Sequence, residues 1–311
     1  FDQEPFERLR QEQLASIRFQ LSSPGWQARY ALFQSLYDTH PYGFRSLGTA
    51  TTLQTLTPKK LATFAQTHLA KDNLVIAVVG AIGPRDLARL LDEVFGKLPA
   101  KAQLTPIDDI ALPKPVTLTV SRPGTQTEVL FARPMLRRED PDWYAAQIAN
   151  YILGGGGFVS RLMKEVRAHQ GLTYGIGTGL SSMDHSALLV GRFSADNDKT
   201  APALNRLSEV WQHFYDEGVT AQEVAAAKDY LIGSLPISLT STDALAETVV
   251  TLQTEKLGRD YLDRYASLYE KVTPNDVNRV IRRWFAPTAS YVYVGQPESV
   301  AADHQKPLMT E

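Results

Sequence analysis

Apolar residues recur at helical spacing from the start of the chain. Phe6, Leu9, Leu14, Ile17 and Leu21 predict a helix over 4–21, and WQARYALFQSLYDTH predicts a second after the breaker pair Pro24–Gly25. LTPKKLATFAQTHL (56–69) predicts a third, with Thr57 as N-cap and Pro58 at its first position. NLVIAVVG (73–80) is an unbroken apolar run of strand length and reads as a buried strand. PRDLARLLDEVFGKL (84–98) has the single apolar stripe of a surface helix. A Pro-rich stretch without periodicity follows, and residues 101–115 are taken as a linker. Beyond it VTLTV (116–120) and TEVLFARP (127–134) predict strands, and DPDWYAAQIANYIL (140–153) a helix. Four glycines then precede a helix at 158–170, strands at 172–181 and 186–194, and helices at 200–218, 221–235 and on to 286.

Two parts of this pattern repeat. LTPKKLATFAQTHLAKDNLVIAVVG (56–80) lies over VTPNDVNRVIRRWFAPTASYVYVGQ (272–296): apolar residue, Thr-Pro, amphipathic helix, loop, strand, Gly. RQEQLASIRFQLSSP (10–24) lies over AAKDYLIGSLPISLT (226–240) at nearly the same offset. A shared offset over two separated blocks implies one α+β unit present twice. The first copy, residues 1–100, lacks counterparts of strands 116–134 and of the glycine run, whereas the second, 116–311, has them. The predicted fold is therefore α+β: two homologous α/β sandwiches, each an antiparallel-rich sheet with helices on one face, the first incomplete.

Composition narrows the function classes. A length of 311 residues agrees with two domains. A net charge of −2 supplies no basic field for nucleic acid. The absence of cysteine excludes disulfides, thiolate metal sites and cysteine nucleophiles. No apolar run approaches the ~18 residues of a membrane span. The opening FDQEPFERLRQE lacks an initiator Met and is already helical in pattern, so the start reads as a processed or truncated end.

The glycine run Gly154, Gly155, Gly156 and Gly157 raises the question of phosphate binding. A Walker loop needs Lys-Ser/Thr after its last glycine, but Phe158-Val159-Ser160 follows here. A dinucleotide fingerprint needs a strand before the glycines, whereas Trp143, Ala146, Ala149, Ile152 and Leu153 are spaced as a helix. The glycines read instead as a flexible turn. In RLMKEVRAHQ, Arg161 and Glu165 are spaced as an i,i+4 pair, and Gly171 is a natural stop. In LTYGIGTGL, Gly175, Gly177 and Gly179 share one face of a strand, which lets another backbone, such as an extended peptide, approach closely.

SRL…VR…GLTY after a helix and a glycine turn resembles the C-terminal domain of the insulinase/pitrilysin-type zinc peptidases, the inverzincins. HPYGFRSLGTATTLQTLTPKKLATFAQTHLAKDNLVIAVVG (40–80) resembles the second half of their N-terminal domain. The resemblance implies two homologous domains around a chamber. It also implies that Arg167 and Tyr174 bind the substrate peptide, the guanidinium and phenol donating to peptide carbonyls. Without the resemblance, Arg167 reads as a solvated helix charge and Tyr174 as a core aromatic. His40-Pro41-Tyr42-Gly43 reads as a structural turn, Arg137-Arg138 and Arg282-Arg283 as solvated charges, and Trp143, Trp211 and Trp284 as core.

The chain departs from the family at the metal. The family ligates zinc with His-x-x-Glu-His and a distant Glu. His40, His68, His169, His185, His213 and His304 include no such motif and no pair three or four residues apart. The distant Glu would fall at Ser16, counting back from Pro24, or at Leu14, counting from Glu7-Arg8; Glu12 is the only nearby carboxylate that could replace it. The expectation is a subunit without catalytic residues or metal, in which Arg167 and Tyr174 help bind an extended peptide by strand addition. Zinc would come from a homologous partner subunit in a heterodimer. Two alternatives stay open: a catalytic peptidase whose zinc motif lies upstream, with Glu12 or Glu7 as third ligand, and a structural scaffold subunit. Bacterial members of the family suggest an exported, periplasmic location.

Overall fold

In the computed structural model the described residues are 1–306. The helices are α1 (Gln3–Ser22), α2 (Pro24–Tyr37), α3 (Ala50–Gln54), α4 (Pro58–His68), α5 (Pro84–Phe95), α6 (Trp143–Asn150), α7 (Asn197–Glu217), α8 (Ala221–Ser238), α9 (Thr242–Thr254), α10 (Tyr261–Glu270) and α11 (Pro274–Trp284). The strands are β1 (Thr117–Ser121), β2 (Gln126–Pro134), β3 (Ile176–Met183), β4 (Ser186–Asp196), β5 (Ser290–Gly295) and β6 (His304–Lys306). The Thr-Pro of the repeat is the same device in both places. Thr57 accepts from Lys60 N–H ahead of α4, and Thr273 accepts from Asp276 N–H ahead of α11, each with Pro in the first turn.

Contacts group the chain into two compact units. The first comprises Phe1–Ala15, Ala50–Ile107 and Ile232–Ala266. No residue of α4 or α5 is buried in it. The predicted strand at 73–80 joins no ladder among the described residues, and Leu74, Val75 and Val78 are exposed. Its composition suits a strand, but a strand is defined by a partner, and no described strand pairs with it. A bond from Gln253 Nε2 to the Ile76 carbonyl (3.2 Å) stands where a ladder would be.

The second unit comprises Ser16–Thr49, Asp108–Leu231 and the chain from Ser267 onward. Its sheet has the order β3-β4-β2-β5-β1-β6. The β3·β4, β4·β2 and β2·β5 pairs are antiparallel, and β5·β1 and β1·β6 are parallel. This is the expected α+β class with an antiparallel-rich sheet. On one face Phe131 packs against Trp211 of α7 (ring centroids 5.6 Å), whose indole N–H donates to the Phe285 carbonyl beyond α11 (2.9 Å). On the other face Leu118, Val120, Leu130, Ala132, Val292 and Val294 pack against Ala28, Ala31, Leu32 and Leu36 of α2. Contact grouping therefore differs from the repeat-based boundary at 101–115 over residues 16–49, because the apolar face of α2 is buried on this sheet, and over residues 232–266, which group with the first unit. The His40–Gly43 turn packs as expected: His40 Nδ1 accepts from Tyr42 N–H, and the Tyr42 hydroxyl accepts from His185 N–H. Trp143 and Trp211 are core, and Trp284 is half-buried.

Candidate functional site

The site is built around the entrance to β3. The glycine run begins packed, with Gly154 buried, and ends exposed at Gly157. It occupies a π-helical turn at Tyr151–Gly155 and a 3-10 turn at Gly157–Val159. A Cβ on Gly154 would stand 2.5 Å from Thr178 Oγ1 and 2.9 Å from Thr178 N, so only glycine lets the run lie against β3. Gly157 has φ +58°, the left-handed region that reverses the chain.

After Ser160 the chain makes a short helical turn and then a π-helical one at Met163–Ala168. The wider turn replaces i,i+4 neighbours with i,i+5 bonding, and His169 N–H donates to the Lys164 carbonyl (3.0 Å). The expected Arg161–Glu165 pair does not form. Arg161 reaches Glu223 with two bonds of 2.8 Å and the Gly218 carbonyl at 2.9 Å. Glu165 instead accepts from Arg206, and that bond holds its carboxyl below the usual range against desolvation. Two tertiary ion pairs thus clamp this segment to α7 and α8.

The strand predicted from residue 172 begins only at Ile176. The buried Thr173 explains the delay. Its hydroxyl lies 2.6 Å from the Ser194 carbonyl and 3.0 Å from the Gly175 carbonyl, and accepts from Gly175 N–H (3.2 Å). These side-chain bonds stand in for ladder bonds and turn the intervening residue outward. That residue is Tyr174, 81% exposed and therefore no core aromatic. Arg167 Nε donates to the Tyr174 carbonyl (2.8 Å), and its guanidinium lies 5.0 Å from the Phe158 ring centroid. The other guanidinium N–H groups of Arg167 have no acceptor among the described residues. The structure therefore brings Arg167 and Tyr174 together, with the ring and most of the cation's donors presented outward.

Beside this pair a cavity of about 770 Å³ opens over the sheet face shared with α2. Register sets its floor. Leu130, Arg192 and Gly177 form one row across β2, β4 and β3, and Ala132, Val190 and Gly179 form the next. Side chains alternate along a strand, so the glycines leave a shallow shelf next to Arg192 and Val190. Gly175, the neighbour of Tyr174, lines the same cavity. The outer edge of β3 is not open along its length: Thr178 bonds Asn150, and the Gly154 carbonyl abuts Gly177. The sequence reading missed Glu128 and Arg192, which also line the cavity. The signal was present as a charge at a core-facing position of the apolar strand TEVLFARP.

The donors present do not fit the zinc of the family. Among the described residues no three His, Cys, Asp or Glu side chains come together. Glu12 lies on exposed α1 and is bonded to Arg8 (2.8 Å). Among the described residues no helix is long and apolar enough to cross a membrane.

The chain belongs to the family described as the peptidase M16 inactive domain, whose profile it matches over residues 55–231. It is 29% identical to the crystal structure of a peptidase M16 inactive domain from Pseudomonas fluorescens, with a TM-score of 0.88 over 99% of this chain and 73% of that one. Among curated relatives it is 27% identical to an uncharacterized zinc protease of Streptomyces coelicolor, over 86% of this chain and 60% of that protein. It is 26% identical to a protein of Helicobacter pylori named a non-peptidase homolog, over 76% of this chain and 55% of that protein. The chain thus spans little more than half the length of these relatives.

Proposed function

We propose that this chain is the non-catalytic, peptide-binding subunit of a heteromeric zinc metallopeptidase. The observation that carries the reading is the Arg167–Tyr174 arrangement. A buried Thr173 turns Tyr174 out, the Tyr174 carbonyl orients the half-buried Arg167, and Gly175, next to Tyr174, lines a glycine-floored groove. An extended peptide lying over Gly175, Gly177 and Gly179 can accept from the free guanidinium donors of Arg167 and from the Tyr174 hydroxyl through its carbonyls. Because the glycine run covers part of the β3 edge, we place the peptide across this shelf rather than along the edge. Zinc and the base that activates water come from a homologous partner subunit in this reading. The name of the Helicobacter pylori relative, a non-peptidase homolog, agrees with a chain that binds without cutting.

The relatives named zinc proteases favour a second reading, in which the longer protein carries its own zinc motif. Metal analysis of the longer protein that contains this chain, together with cleavage assays of the reconstituted complex, separates the two. The subunit reading predicts less than stoichiometric zinc in that protein alone, and cleavage only with the partner. Cleavage should fall about tenfold or more in Arg167→Ala, the order expected when charge-assisted hydrogen bonds are lost. Stoichiometric zinc and cleavage by the isolated protein would establish the second reading. Unchanged cleavage in Arg167→Ala and Tyr174→Phe would leave a scaffold.

A further inference from the structure

The groove holds a charged residue that the Arg167–Tyr174 reading leaves unused. Glu128 of β2 stands on the same sheet face as Leu130 and Ala132, one row beyond Arg192, opposite Ser194. It is half-buried, and no hydrogen bond from a described residue reaches its carboxylate. The first turn of α2 abuts it: a Cβ on Gly25 would lie 3.7 Å from Glu128 Oε1, yet no N–H of that turn donates to it. Burial pushes its carboxyl pKa up, and the nearby charge of Arg192 only partly opposes this. Arg29, which also lines the cavity, is stacked on Phe33 with its guanidinium 4.6 Å from the ring centroid. Neither arginine forms an ion pair with Glu128.

A half-buried carboxylate without a hydrogen-bond donor is unfavourable to the fold. Groups held at such a disadvantage inside a groove are concentrated where a ligand completes them. We propose that Glu128 is the specificity residue of this groove and takes a cationic group, an ammonium or guanidinium, of the bound peptide. The inference rests on the peptide-binding reading. The ligand supplies the N–H donors that the fold withholds and adds to the partial counter-charge of Arg192, in a place where partial exclusion of water strengthens the interaction. Arg192 works against it from the diagonal position on β4, so the selection is tuned rather than absolute. An anionic side chain at the same position would meet the carboxylate. The cation could be a lysine or arginine side chain or the free amino terminus of the peptide, and the two sources are separable.

The test measures binding of fluorescently labelled extended peptides to the chain by anisotropy. One set is acetylated and carries a single Lys, Gln or Glu; a second has a free amino terminus and neutral side chains. Wild type should bind the Lys peptide, the free-amine peptide or both about tenfold tighter than the acetylated Gln peptide, as for a hydrogen bond to a charged group. Glu128→Gln should abolish that preference. Arg192→Gln should enlarge it. Removing a half-buried charge that receives no hydrogen bond, Glu128→Gln should unfold at or above the wild-type temperature, so loss of folding will not imitate loss of selectivity. Peptides that bind and depend on Arg167, yet show no cationic preference or keep it in Glu128→Gln, would overturn this assignment alone. Failure of every peptide to bind wild type would overturn the peptide-binding reading and this assignment with it.

Discussion

Replacing Gly154 with alanine tests whether the glycine run is packed or loose. The added Cβ would lie 2.5 Å from Thr178 Oγ1, 2.9 Å from Thr178 N and 3.1 Å from Leu162 Cδ1. The hydroxyl can rotate away, at the expense of its bond to Asn150 (2.8 Å). The backbone nitrogen cannot move without shifting β3, and overpacking of this kind costs about 1–3 kcal/mol. The φ of Gly154 is not positive, so alanine also gains about 0.4–1 kcal/mol by restricting the unfolded chain. The net expectation is a loss of about 0–2.6 kcal/mol, the difference of those two ranges. Gly179→Ala is the matched control. It lies on the same strand edge, a Cβ there meets nothing within 4 Å, and its φ is not positive, so it should be neutral or slightly stabilising. Urea unfolding followed by circular dichroism reads both. Gly154→Ala unfolding at the same urea concentration as Gly179→Ala, or higher, would refute close packing and restore a flexible turn.

Other expectations follow from the same geometry. Thr173→Val removes the hydroxyl that serves the Ser194 and Gly175 carbonyls and Gly175 N–H, and should cost about 1–3 kcal/mol in urea unfolding; a loss under about 0.5 kcal/mol would show that water replaces it. The carboxyl of Glu165 is held low in the folded state by the bond from Arg206, so its contribution is present above its unfolded pKa, near 4.5, and is lost as pH falls through the folded value. The stability advantage of wild type over Glu165→Gln should therefore shrink between about pH 6 and about pH 3, and an advantage constant over that range would contradict the pairing. Glu223→Gln should loosen Arg161, which holds both Glu223 and the Gly218 carbonyl, and speed amide exchange over residues 160–171; exchange unchanged there would remove the clamp from the account.

Much of this was legible in the sequence, for reasons that differ by element. The stretches VTLTV and TEVLFARP located β1 and β2, and Thr-Pro located the starts of α4 and α11, because each signal is local. The Arg167–Tyr174 neighbourhood was visible through its motif. The stretch 73–80 misled because apolar composition does not say whether a partner strand is present. The Arg161–Glu165 pair misled because the π-helical turn changes which residues are neighbours, and no propensity announces that turn. The packing of Gly154 was not legible because its Cβ-free contact with Thr178 is a tertiary fact. Glu128 escaped notice because a single charge in a strand acquires meaning only when its face and depth are known.

The central claim is that Arg167 and Tyr174 hold a peptide in a chain that does not supply the metal. Isothermal titration of an extended peptide into the chain, with zinc quantified in the same samples, tests it most directly. The account predicts saturable binding by wild type without stoichiometric zinc, about tenfold or greater weakening in Arg167→Ala, and a smaller loss in Tyr174→Phe. Equal affinity in wild type and both variants, or binding that appears only with stoichiometric zinc in this chain, would contradict it.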